Sequence, residues 1–128
     1  MAKWDDTGLG YFEQEKQYTP SVLVREFSKV LDQKPDVALY QRLICEEYEE
    51  WCKESPHTVK DLKELADLVY VIYGYALAAG YNLDEAVERV HDNNIGRCVQ
   101  PDGTVKRRED GKIMKNPDYP AVELEDLI

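Results

Sequence analysis

Cysteine is scarce in this 128-residue chain, with only Cys45, Cys52 and Cys98. An odd count without metal-type spacing argues against a disulfide framework. Cys45 and Cys52 would sit about 10 Å apart along one helix, too far to bridge. Reduced, core-buried thiols in a cytoplasmic protein are therefore expected. Histidine is scarcer still, with His57 and His91 alone. A di-iron carboxylate bundle needs Glu-x-x-His pairs. Glu88 and His91 have that spacing, and so do Glu54 and His57, but Pro56 breaks the helix the second pair would need. Two good pairs cannot be made. Positive charge is also short: 16 Lys and Arg face 26 Asp and Glu, for a net charge of −10. That balance excludes a broad nucleic-acid surface, because phosphates would be repelled. A small anion held through a metal or a local basic patch remains compatible with it. Long apolar runs are missing. The longest, Leu68 to Ala79, is too short to span a bilayer, and Met1 to Asp6 lacks the apolar stretch of a signal peptide. No membrane partner and no internal repeat are expected.

What is present fits one globular domain over residues 1–128, at 43% hydrophobic and 33% charged residues. Residues 1–18 are polar with scattered aromatics and read as an arm that could lie on a partner subunit. Thr19-Pro20 is a helix start, and Val22, Leu23, Phe27, Val30 and Leu31 repeat at helical spacing up to Gln33-Lys34-Pro35. Asp36 caps a second helix whose apolar stripe is Leu39, Leu43, Ile44 and Trp51, ending at Ser55-Pro56. A third runs from about Thr58 to Ala79 and is apolar over a wide arc, so it should be the most buried element; Gly80 ends it. Asn82 caps a fourth, with Glu85 at the capping-box position and Ala86, Val87, Val90 and Ile95 directed inward. The helical pattern stops at Cys98. Pro101-Asp102-Gly103 and Glu109-Asp110-Gly111 are turns around a possible hairpin strand at Thr104–Arg108, and residues 117–128 read as extended or loosely ordered. The expected fold class is all-α: a four-helix bundle over about 20–97 with a basic, looped C-terminal tail over 98–128.

The charge in this frame is clustered. Glu46, Glu47, Glu49 and Glu50 fall on the second helix, Glu64 and Asp67 on the third. At roughly 100° per residue, Glu46 and Glu50 lie about 40° apart, while Glu47 and Glu50, like Glu64 and Asp67, lie about 60° apart. Each helix thus carries a tight carboxylate group on one face, and antiparallel pairing lets the groups meet. Acidic clusters on helices are commonly just solvated faces. These border Leu43, Ile44, Leu65, Leu68 and Val69, and like charges beside apolar surface are costly without a neutralising cation. Hard divalent cations take such oxygen ligands. The tail carries the opposite charge: Lys106, Arg107, Arg108, Lys112 and Lys115, preceded by Arg97. Either this is a solvated hairpin or it supplies cations to the far oxygens of a polyphosphate.

Glu46-Glu47-x-x-Glu50 followed by Glu64-x-x-Asp67 resembles the EExxE…ExxD signature of the all-α nucleoside triphosphate pyrophosphohydrolases, which include MazG-like proteins, dimeric dUTPase relatives and phosphoribosyl-ATP pyrophosphohydrolase. The stretch from Val90 to Arg97 is similar to that family's downstream segment, in which a basic residue follows an Asn by three; Arg97 stands where a Lys is expected. Arg108 to Lys115 looks like the ending of the MazG-like, phosphoribosyl-ATP-pyrophosphohydrolase-like branch. The resemblance covers about residues 36–119. It implies cleavage of a (d)NTP between the α- and β-phosphates to give a nucleoside monophosphate and pyrophosphate. It implies Mg²⁺, with Mn²⁺ as a substitute, held by Glu47, Glu50, Glu64 and Asp67. Glu46 would bind a further ion or orient the attacking water. It implies sugar and phosphate contacts from Asn94, Arg97, Lys112 and Lys115, and assembly as a homodimer or homotetramer. The competing reading is a non-catalytic acidic helical module that binds a partner. Such a module spreads its acids along a surface, whereas these converge.

Overall fold

The computed structural model describes residues 18–128, so the expected N-terminal arm falls outside the described residues apart from Tyr18. Four α-helices follow in order: α1 (Pro20–Val30), α2 (Val37–Cys52), α3 (Val59–Ala79) and α4 (Leu83–Cys98). Each begins where a short polar side chain can take an unsatisfied backbone N–H. Thr19 accepts from Val22, Asp36 from Leu39, Thr58 from Asp61 and Asn82 from Glu85. Gly80 ends α3 in the left-handed region at φ 77°, where its N–H reaches the carbonyls of Ala76 and Leu77. α1 stops at Val30, short of Gln33, because the chain turns through Asp32 at φ 49°. The capping box at α4 is half made. Glu85 gives its carboxylate to Arg89 at 3.1 Å, and the Asn82 N–H goes instead to the Leu127 carbonyl at 3.1 Å.

α3 is the central element, with α2 and α1 packed on it. Phe27 meets Tyr70 edge-on at 5.6 Å between ring centres, and Val24 is fully buried beneath α1. Between α2 and α3 the Tyr40 ring lies against Gly74. A Cβ on Gly74 would fall 2.1 Å from the Tyr40 ring, so only glycine lets the helices come this near. The Tyr40 hydroxyl donates to Gln33 Oε1 at 2.9 Å, which fixes the ring.

α4 does not lie along this pair. Its N-terminus is tied to α1, where Ser21 donates to Asp84 at 2.5 Å, and its main packing partner is the C-terminal 3₁₀ turn Glu125–Leu127. The last residues are thus not loose. Asn93 donates to the Pro120 carbonyl at 2.9 Å, Asn116 N–H to the Arg97 carbonyl at 2.7 Å, and Arg89 grips Asp126 through two hydrogen bonds of 2.6 and 2.8 Å. Gly96 makes the fit possible, since a Cβ there would overlap the Tyr119 hydroxyl. Between α4 and this return lies a two-stranded antiparallel hairpin, β1 (Lys106–Arg107) with β2 (Ile113–Met114), turning through Gly111 at φ 89°.

Two expectations need correction. Cys45 and Cys52 are exposed and Cys98 half-buried, all three unpaired, so they are not core residues. α3 is the most buried element, as expected, although Leu62, Leu65, Val69 and Ile72 on it remain exposed; the inward set expected on α4 does not hold, since Val87, Val90 and Ile95 are exposed. Among the described residues the buried apolar side chains are Val24, Tyr40 and Ala76, a thin core for a chain of this length.

Candidate active site

The antiparallel register of α2 and α3 builds the site. Tyr40 lies over Gly74. One heptad further along α2, and one heptad back along α3, the same seam carries Glu47 and Asp67. A heptad advances a helix by nearly two full turns, so these residues repeat the facing geometry about 10 Å away. Glu47, Glu64 and Asp67 each present a carboxylate oxygen within 4.8 Å of the others, and all three are half-buried. These acids from two helices therefore share one place.

The electrostatics are those of an under-neutralised cage. Burial pushes the Glu47 carboxyl above the usual carboxylate range, and the charges of Glu50, Asp67 and Glu64 push it further. Glu47 Oε2 and Glu64 Oε2 are buried with no hydrogen-bond partner. Buried carboxylate oxygens without a donor are costly. Three hard oxygen donors with two orphaned lone-pair positions suit a hard divalent cation. The residues present thus fit the metal that the motif implies.

One side chain that the motif did not point to belongs here. Lys63 holds Asp67 at 2.5 Å and approaches Glu64 at 3.8 Å, and these carboxylates raise its pKa. It is the local counterion of the cage. Its position four residues before Asp67 and next to Glu64 was the available signal. Trp51, one helical turn beyond Glu47, adds an orphan of the opposite kind, an indole Nε1 donor that is buried and unpartnered.

The remaining expected site residues divide. Glu50 is exposed and outside the group of three, yet near enough for its carboxyl to act on Glu47. Glu46 is exposed, about 100° around α2 from Glu47. Asn94 and Arg97 are half-buried on α4, and Arg97 Nε is buried without a partner. Lys112 and Lys115 are exposed, one on each side of β2. Since α4 packs on the 3₁₀ turn rather than along α2 and α3, these four are not gathered with the acids by the main packing of a single chain.

The arrangement has relatives. No curated protein matches this sequence. Among solved structures, a cyanophage S-2L MazG-like pyrophosphohydrolase, bound to dGDP and three catalytic Mn²⁺ ions per active site, is similar in fold. Its TM-score is 0.55 at 19% identity, over 80% of this chain and 96% of that one. The family model of phosphoribosyl-ATP pyrophosphohydrolase matches residues 11–94, which include every acid of the cage. The chain shares the fold of that MazG-like structure and belongs to the phosphoribosyl-ATP pyrophosphohydrolase family.

Proposed function

We propose that the protein is a Mg²⁺-dependent nucleoside triphosphate pyrophosphohydrolase that cleaves (d)NTPs between the α- and β-phosphates, releasing (d)NMP and pyrophosphate. The observation that carries this reading is the convergence of Glu47, Glu64 and Asp67 within 4.8 Å of one another, with two of their oxygens buried and unpartnered. Glu47, Glu64 and Asp67 hold the cation, and Glu50, whose charge already bears on Glu47, completes the set. A divalent cation bound there would supply Lewis-acid stabilisation of the phosphoryl oxygens. Mn²⁺ would substitute, as its presence in the S-2L relative suggests. Glu46, on the solvent side of the cage, orients the attacking water and accepts its proton. No serine or cysteine nucleophile is required, because water attacks directly.

Cations must meet the phosphates beyond the cage. Lys63 is already there and can turn from Asp67 to a phosphate once a metal satisfies the acids. Asn94, Arg97, Lys112 and Lys115 serve the sugar and the outer phosphates, delivered from a second copy of the chain. A homodimer or homotetramer is supported by the apolar surface left bare on α3 and α4, including Leu62, Val69, Ile72 and Ile95. Among the described residues no helix is long and apolar enough to cross a membrane, and the three unpaired thiols suit a reducing cytoplasm.

The test is incubation of the full chain with a panel of dNTPs and NTPs in Mg²⁺, with pyrophosphate and monophosphate measured separately. Stoichiometric release of both, abolished in Glu64→Gln and Asp67→Asn, is expected. Release of orthophosphate instead, or no turnover of any triphosphate, would overturn the proposal; the latter would favour the non-catalytic partner-binding module.

A further inference from the structure

The acid cage lies at one end of the α2–α3 seam. At the other end, where α1 and the α1–α2 loop cover Tyr40, lies a cavity of about 270 Å³. Its walls carry the charge opposite to that of the chain. Arg25 and Lys29 come from successive turns of α1, and Lys34 comes from the loop. Ser28, Gln33 and Tyr40 add neutral polar groups, and no Asp or Glu lines it. In a chain with 26 acids and 16 bases, an opening walled by three cations and no acid departs sharply from the average surface. Among the described residues, none of these three cations is ion-paired. Lys63, Arg89 and Arg108, by contrast, are each paired with a carboxylate; Arg25 also borders the neighbouring cavity that Asp84 lines, yet is not paired with it.

The neutral groups point the same way. Tyr40 donates its hydroxyl proton to Gln33 Oε1, so the Gln33 amide nitrogen is left to offer donors. The floor is apolar: Gly74, Leu77 and Ala78 of α3, with Pro35 at the rim. Lysine and arginine around a small concave surface with neutral donors make a phosphate subsite. An apolar floor adds affinity for a carbon body attached to the phosphate. The volume admits a group of the size of a sugar phosphate.

We infer that this cavity binds the phosphate of a small phosphate monoester through Arg25, Lys29 and Lys34, with its carbon body against Leu77 and Ala78. The site is separate from the cage. Tyr40 and Gly74 lie one heptad, about 10 Å, from Glu47 and Asp67 along their helices. The inference does not depend on the catalytic assignment.

The test uses the full chain in EDTA and low salt, so that no metal can recruit phosphate to the acids and screening stays weak. Calorimetric titration with ribose 5-phosphate is compared with inorganic phosphate and with ribose. Ribose 5-phosphate should bind the wild type. Inorganic phosphate should bind more weakly, and ribose not measurably. The Arg25→Ala/Lys29→Ala double variant should bind ribose 5-phosphate at least about tenfold more weakly, since it removes two of the three charged donors. Both side chains are exposed, so folding should survive. Lys34→Glu, in the loop, gives an independent loss through charge reversal. No heat with ribose 5-phosphate, equal affinity for ribose, or unchanged affinity in both variants would overturn the site. Turnover of triphosphates plays no part in the readout, so a failure here leaves the catalytic proposal untouched.

Discussion

Gly74→Ala pits local helix preference against tertiary contact, and the two predict opposite signs. In an exposed helix interior, replacing Gly with Ala stabilises by about 1 kcal/mol. Here the added Cβ would lie 2.1 Å from Tyr40 Cε1 and 2.7 Å from Cδ1 and Cζ. Carbon atoms rest at about 3.5–4.0 Å, so the ring or the helix must retreat by roughly 1.5 Å. The ring is buried and its hydroxyl is held by Gln33 at 2.9 Å. Overpacking of this kind costs about 1–3 kcal/mol, and breaking the tyrosine hydrogen bond adds about 1 kcal/mol. After the helix gain is subtracted, a net destabilisation of about 1–3 kcal/mol remains. With an unfolding entropy of about 2.1 cal/mol/K per residue over 128 residues, Tm should fall by about 4–11 °C in calorimetry or far-ultraviolet circular dichroism. Tyr40→Ala should reverse the sign, because it makes room: in that background Gly74→Ala should raise Tm. A single Gly74→Ala variant as stable as wild type, or more so, would refute the close α2–α3 approach. The register that brings Glu47 to Asp67 would fall with it.

Three further outcomes follow from the same geometry. The Glu47 carboxyl is raised by burial and by its acidic neighbours, so the folded, metal-free protein binds a proton there more tightly than the unfolded chain does; its stability should therefore fall as pH rises from the ordinary glutamate value through the raised one. Urea midpoints across pH 4–8 should show this decline, and added Mn²⁺ should reverse it; a metal-free protein that gains stability over that window would contradict the crowding of acids. Lys63→Ala removes the ammonium that competes for Asp67 at 2.5 Å and should tighten Mn²⁺ binding by up to about fivefold, the scale of an exposed ion pair, while weakening the turnover of triphosphate; unchanged affinity would show that Lys63 is a bystander. Gly96→Ala forces the Tyr119 ring off α4 and should release residues 116–127, seen as faster amide exchange there with α2 and α3 unchanged.

The helices were legible because their signals are local. Thr19, Asp36, Thr58 and Asn82 are short oxygen-bearing side chains at the point where apolar periodicity begins, and each caps the helix it announced. Gly80 stops α3 for a reason that resides in one residue. The pairing of Glu47 with Glu64 and Asp67 was also accessible, since it needs only helical spacing and antiparallel order. Contacts set by the third dimension were not. Reading Glu85 as the second half of a capping box ignored Arg89, one turn away, and the Leu127 carbonyl far along the chain. The cysteines looked like core residues because cysteine usually is one, but Cys45 and Cys52 fall on the outer arc of α2. The C-terminal residues seemed loose because extended segments have no periodicity; what orders them is Gly96, Asn93 and Arg89 on α4. Lys63 has no place in a motif made of acids, and its role as counterion exists only where Glu64 and Asp67 converge.

The central claim is that carboxylates from α2 and α3 form one divalent-cation cage. It is tested most directly by Mn²⁺ titration of the full chain, followed by electron paramagnetic resonance, with no nucleotide present. The account predicts saturable loss of the free Mn²⁺ signal in the wild type. Binding should weaken at least about tenfold in each of Glu47→Gln, Glu64→Gln and Asp67→Asn, since each removes one charged ligand. Equal Mn²⁺ uptake by wild type and all three variants would show that these acids hold no common ion.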